Sequence, residues 1–190
     1  MQFSPAAEPT GRARSPRQPR LFTTGSLLWS GGPTRQRRRS AATKRARRPL
    51  VLLHIIARGK IGKSAEAELV ERYLKRIPWP TKVTELADDG RSAPELPHSA
   101  ICVLLDERGK ALSSIELAKK LEGWRDDGKR EARFSIGGAN GHSEADRAKA
   151  DLLLSFGPAT WPHLLVRAML AEQLFRATSI LANHPYHREG

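Results

Sequence analysis

The apolar positions of this chain fall into five short runs separated by helical or turn-forming segments, all of them beyond residue 49. LVLLHIIAR, Leu50 to Arg58, is apolar almost throughout and does not alternate, the pattern of a strand covered on both faces. GKIGKS then turns the chain. Ser64 can cap a helix running to about Ile77, with Glu66 and Glu68 near its positive end and Lys75 and Arg76 near its negative end. Pro78 and Pro80 end that helix.

TKVTELA, Thr81 to Ala87, reads as a second strand, and DDGRSAPELPHS as a polar connection with room for one helical turn. AICVLLD, Ala100 to Asp106, is a third buried strand, followed by a turn at ERG. In SSIE, Ser113 and Glu116 form a capping box that opens a helix to about Asp126, closed by Gly128. ARFSIGG, Ala132 to Gly138, is the fourth strand; ANGHS turns into the short helix SEADRAKA, and DLLLSFG is the fifth strand. The last helix begins near Pro162 and places Leu165, Met169, Leu174, Ala177, Thr178 and Leu181 on an inward-facing stripe. Strands alternating with helices predict an α/β fold, a mostly parallel sheet with helices on both faces, as a single domain over residues 50–190.

Charge divides the chain differently from what its total of +13 implies. Residues 1–48 hold 12 Lys and Arg against a single acid, Glu8, whereas the remainder holds 21 bases and 19 acids. The basic character therefore belongs to the leader and not to the domain. Rich in Arg, Ser and Pro and without apolar periodicity, residues 1–48 are expected to be disordered. Three origins fit this composition: a transit peptide, a basic arm binding RNA phosphates, or upstream DNA translated from a mis-assigned start. The third is favoured here, because a valine, Val51, stands where a GUG start would be read internally and a strand follows at once.

A single cysteine, Cys102, excludes an internal disulfide framework and a Cys-based zinc site, which fits a cytoplasmic protein. The longest apolar-rich stretch, His163 to Leu181, is interrupted by Arg167, Glu172 and Arg176, so no membrane span is expected.

In a doubly wound sheet, ligands bind beyond the carboxyl ends of the strands. Three segments end there: LLDERG, IGGANGH and SFGPATWPH. The glycines of IGGANGH let a backbone approach a ligand closely, yet the segment is neither GxxxxGK[ST] nor GxGxxG and reads equally as a plain strand-to-helix turn. SFGPATWPH packs Gly157, Pro158, Trp161 and Pro162 into one rigid loop that could grip an adenine edge, unless Trp161 is simply core. The closing NHPYHREG differs from both. Asn183 suits a left-handed helix stop and Pro185 prevents continuation, which would deliver Tyr186, His187 and Arg188 at a fixed place instead of a frayed tail. A metal site from His184 and His187 lacks a cysteine or carboxylate partner, so no metal is expected.

In chain order, LLHIIARGKIG, SIGGANGH, SFGPATWPHLLVRAMLAEQLFRATSI and NHPYHRE closely resemble the ribosomal large subunit methyltransferase H family, the 23S rRNA pseudouridine N3-methyltransferases of the SPOUT class. The resemblance covers Leu50 onward and implies a C-terminal trefoil knot, a homodimer, S-adenosylmethionine as methyl donor, and a pseudouridine in helix 69, the intersubunit hairpin of the assembled 70S ribosome, as acceptor. It implies donor contacts at Leu105, Gly138 and the loop Gly157, Pro158, Ala159, Thr160, Trp161 and Pro162. Tyr186, His187 and Arg188 would face the target base, with Arg176 near the dimer interface and active site; His163 matches as well.

Alkylation at N3 requires loss of the proton held between two carbonyls. His187, or Tyr186 in its place, is expected to receive or relay it, while Arg188 stabilises the anionic ring or fixes a phosphate. Arg58, Lys60, Lys63 and Arg188 form a small patch suited to RNA phosphates. Two other classes fit the same residues: a non-catalytic ribosome-binding or assembly factor on this fold, and a SPOUT enzyme acting on tRNA.

Overall fold

The structure, a computed structural model, describes residues 49–87, 93–138 and 140–186. The leader 1–48, part of the β2–β3 connection at 88–92, Ala139, and the tail residues His187, Arg188, Glu189 and Gly190 lie outside the described residues.

Among the described residues five strands and four helices follow in order: β1 Leu52–Arg58, α1 Ala65–Leu74, β2 Thr81–Leu86, β3 Ala100–Ala111, α2 Ser114–Asp126, β4 Glu131–Ile136, α3 Glu144–Lys149, β5 Leu152–Ser155 and α4 His163–Leu181. The strands form one parallel sheet in the order β2-β1-β4-β3-β5. Local chemistry sets the helix starts as the sequence predicts. Ser64 accepts from the Ala67 N–H, and Ser113 with Glu116 and Ser143 with Asp146 form reciprocal capping boxes. Asn183 ends the last helix at φ 52°, the left-handed stop its short polar side chain tolerates.

Register then sorts the side chains. Leu53, Ile55 and Ala57 of β1, Ile101 and Val103 of β3, and Ala132, Phe134 and Ile136 of β4 point to one face, where Leu117 and Leu121 of α2 and Leu170, Leu174 and Phe175 of α4 close over them. Each such large side chain taken fully from water contributes about 1.5–3 kcal/mol. On α4 the buried stripe is Arg167, Leu170, Ala171, Leu174, Ala177 and Thr178. The expected inward positions Leu165, Met169 and Leu181 are only half-buried. The helix is rolled so that its small residues meet the sheet and neighbouring helices.

The opposite face carries a polar chain instead of a second apolar core. His54 Nδ1 lies 2.9 Å from Glu131 Oε1, and His54 Nε2 lies 2.8 Å from the Thr84 hydroxyl. Arg133 donates from Nε to the same Glu131 oxygen and from Nη1 to the Pro94 carbonyl. The last of these bonds ties Pro94 to the sheet, and the short α3 sits on that side too, while α1, α2 and α4 share the first face. Burial pushes the Glu131 carboxyl up, but hydrogen bonds from His54 and Arg133 and the guanidinium charge outweigh it and hold it below its ordinary 4.5. Its stabilisation is thus complete above pH 4.5 and lost as the pH falls through the lower folded value. Glu131→Gln is expected to cost about 3 kcal/mol at neutral pH and to flatten acid unfolding, checked by urea titrations at pH 7 and below pH 4.

Helix α1 stops at Leu74 instead of near Ile77, and one strand boundary departs further from expectation. Instead of ending at Asp106, β3 runs on to Ala111, with a register shift: Leu105 and Lys110 both align with Leu154 of β5. The intervening residues bow outward and return. At the return, a β-carbon placed on Gly109 would come within 2.6–2.7 Å of the Leu153 and Leu154 backbone, so only glycine fits.

Candidate active site

The bow of β3 after Leu105 and the carboxyl ends of β4 and β5 lie on adjacent strands of the sheet, so these three segments converge. Between them lies a cleft of about 450 Å³, within the usual range of small-molecule sites. Leu105, Ile136, Leu154, Phe156 and Val166 give it apolar walls, Asp106, Glu107 and Arg147 give it charge, and Gly137, Gly138 and Gly141 expose backbone.

Two of its turns are fixed by backbone geometry. A β-carbon on Gly137 would stand 2.8–3.0 Å from Gly141, and Gly138 bridges to Gly141, which closes the turn on itself. Gly157 sits at φ 101°, a conformation that other residues adopt only with strain. The Ser155 hydroxyl spans this second turn, donating to the Gly157 carbonyl and accepting from the Gly157 N–H. Trp161 donates from Nε1 to the Phe156 carbonyl at 3.4 Å and leaves 41% of its surface exposed at the cleft, so it is not a core residue.

Of the residues assigned to the donor, Leu105, Gly138, Gly157, Ala159, Thr160 and Trp161 line the cleft, as does His163. Pro158 and Pro162 shape the loop without lining it; Pro162 stands as the N-cap of α4. Sequence reasoning passed over Asp106 and Arg147. The Asp106 carboxylate accepts from Arg147 Nε at 2.7 Å and from the Arg108 N–H at 3.0 Å. Burial pushes this carboxyl up, yet those bonds and the guanidinium charge hold it below the ordinary range, and the Asp106 bond in turn raises Arg147, which stays charged. The available signal was an acid directly at the end of a buried strand, one residue past Leu105.

Tyr186, the last described residue, does not line this cleft. Tyr186 packs against Phe175, with ring centroids 4.5 Å apart, and its hydroxyl donates to Glu172 Oε1 at 3.1 Å. Arg176 lies over the same ring at 4.8 Å and donates from Nε to the same Glu172 oxygen. Burial, aided by hydrogen bonding to Tyr73 and Glu172, pushes the Tyr186 phenol up to about 12. Arg176 and Tyr186 are thus brought together, but on the flank of α4. With about 1.5 Å of rise per residue, Phe175 is about 18 Å along the helix from His163 at the cleft. His187 and Arg188 lie outside the described residues.

Arg58, Lys60 and Lys63 lie at and just beyond the end of β1, where buried Arg167 donates to the Arg58 and Gly59 carbonyls and to Glu85. A second cavity of about 670 Å³ opens on the polar face among Arg133, Cys102, His142 and Lys149. It meets none of the turns after β3 or β5, and the smaller cleft is the candidate site. Among the described residues no three His, Cys, Asp or Glu side chains gather in a metal-binding group, and no helix is long and apolar enough to cross a membrane.

Residues 51–187 match a family model described as "Predicted SPOUT methyltransferase". The chain is 63% identical over 140 residues to the ribosomal RNA large subunit methyltransferase H of Rhizorhabdus wittichii and 65% identical over 140 residues to that of Erythrobacter litoralis. It is 64% identical over 141 residues to the protein of the same name from Novosphingobium aromaticivorans. Each alignment covers 74% of this chain and 100% of the relative.

Proposed function

The chain belongs to the ribosomal RNA large subunit methyltransferase H family of SPOUT methyltransferases, and on that premise we propose that it methylates N3 of a pseudouridine in helix 69 of 23S rRNA, on the assembled 70S ribosome in the cytoplasm, using S-adenosylmethionine. The observation that carries this reading is the meeting of the β3 bow with the turns after β4 and β5, both dependent on glycine, around one cleft of suitable size.

The cleft fits the donor. Its apolar walls suit a flat adenine, the open backbone of Gly137, Gly138 and Gly141 and of the Gly157 loop suits hydrogen bonding to ring edges and ribose, and its charged end suits an amino acid. When bound, the donor supplies an activated methyl group. The chain contributes alignment, holding that group in line with the acceptor, and this supplies much of the rate. It must also remove the N3 proton. Tyr186 is poorly placed for that role, since its phenol is kept protonated and its proton is committed to Glu172. His187 is the proton acceptor in this reading, with Arg188 stabilising the ring anion or holding a phosphate, and Arg176 fixing the tail by stacking on Tyr186.

The separation of Tyr186 and Arg176 from the cleft supports a homodimer in which a second copy completes each donor site. So does α1, which contributes no fully buried residue although Leu69, Val70, Tyr73 and Leu74 are half-buried. The same reading includes a C-terminal trefoil knot. Its support is the bow between Leu105 and Lys110, whose return at Gly109 presses on the β5 backbone.

Incubation with 70S ribosomes lacking the modification and tritiated S-adenosylmethionine is expected to label helix 69 at the pseudouridine N3. Labelling of tRNA instead, or donor binding by calorimetry without transfer to any RNA, would overturn the assignment.

A further inference from the structure

The charged end of the cleft has a definite architecture. Arg147, on α3, spends two of its three guanidinium nitrogens on protein carboxylates: Nε on Asp106 at 2.7 Å and Nη1 on Glu144 at 2.8 Å. Arg108 shares the Glu144 oxygen at 2.8 Å, and its backbone N–H takes the remaining oxygen of Asp106. The Asp106 side chain is 3% exposed and that of Arg147 17%, so the pair is held in a desolvated corner with fixed geometry. The third nitrogen, Nη2, stands 3.8 Å from where a β-carbon on Gly141 would be, at the rim of the glycine turn, and among the described residues it has no hydrogen-bond acceptor. Both side chains line the cleft. A guanidinium anchored on two sides presents its remaining N–H groups in one direction, the arrangement that favours a carboxylate over a neutral acceptor.

We propose that Arg147 binds the α-carboxylate of the amino-acid portion of the donor, and that Asp106 is the positioning residue that aims it. This rests on the cleft being the donor site. The rest of the lining agrees with the division: apolar Leu105, Leu154 and Phe156 offer nothing to a carboxylate, and Glu107 offers a like charge.

Calorimetric binding of S-adenosylhomocysteine and of 5′-methylthioadenosine, which lacks the amino-acid portion, separates recognition from bracing. The wild-type chain is expected to bind the former tighter by about 10- to 100-fold. Arg147→Met is expected to abolish that gap by weakening only S-adenosylhomocysteine; Arg147→Lys, which keeps a point charge without the fork, retains part of it. Asp106→Asn is expected to shrink the gap while methylthioadenosine affinity stays unchanged. Equal loss of both ligands in Arg147→Met, or no loss of either, overturns the proposal and leaves the donor site standing. Failure of the wild-type chain to bind either nucleoside overturns the donor site itself, and this inference with it.

Discussion

Gly109→Ala is expected to destabilise the domain by about 3 kcal/mol, lowering its melting temperature by about 10 °C. The added methyl would meet the main chain of Leu153 and Leu154 at 2.6–2.7 Å, and neither can yield as the far end of a side chain would, because β5 is paired with β3 at that point. Gly123→Ala is the matched control. It lies inside α2 with nothing within 4 Å of the new carbon, so it is expected to raise stability by about 0.5–1 kcal/mol through helix propensity alone. Thermal melts of the two variants decide the matter: if Gly109→Ala melts with the wild type, the close passage of β3 over β5 is wrong.

His187→Ala is expected to lower turnover by at least about 100-fold while donor affinity stays within about twofold. The reason lies partly in its neighbour. A phenol pushed up to about 12 and already donating to Glu172 cannot take a proton at neutral pH, so loss of the imidazole leaves the N3 proton without an acceptor. Tyr186→Phe, by contrast, removes the anchor to Glu172 but keeps the ring under Arg176, and is expected to cost no more than about tenfold. Single-turnover methylation of 70S ribosomes with calorimetric donor titration separates these effects. Equal loss of donor binding in His187→Ala would contradict its role as proton acceptor.

The sequence was most legible where one residue type has one physical use. Ser64 and Ser113 marked two helix starts, Asn183 marked a stop, and unalternating apolar runs marked strands buried on both faces. The three strand-end turns were readable as a site because a parallel sheet places such turns together whatever their residues. What escaped depended on pairing between distant segments. The continuation of β3 through Glu107 to Ala111 arises from contact with β5, which a polar ERG cannot advertise. The inward stripe of α4 was misjudged because Arg167 is buried and Leu165 is not: the guanidinium finds carbonyl partners at Arg58 and Gly59, and no hydropathy pattern encodes that. Asp106 and Arg147 stand 41 residues apart and become a pair only when β3 and α3 meet.

The sheet order has a consequence for how the protein is made. Strand β1 must wait for the central strand β4, whose Glu131 meets His54 across 77 residues, and the apolar face they share stays partly bare until α4 is complete. A nascent chain leaving the ribosome can pair β1 with β2 early, but the other edge of β1 has no partner until β4 emerges. The sheet is therefore expected to close late in synthesis, after β4 and α4 have emerged.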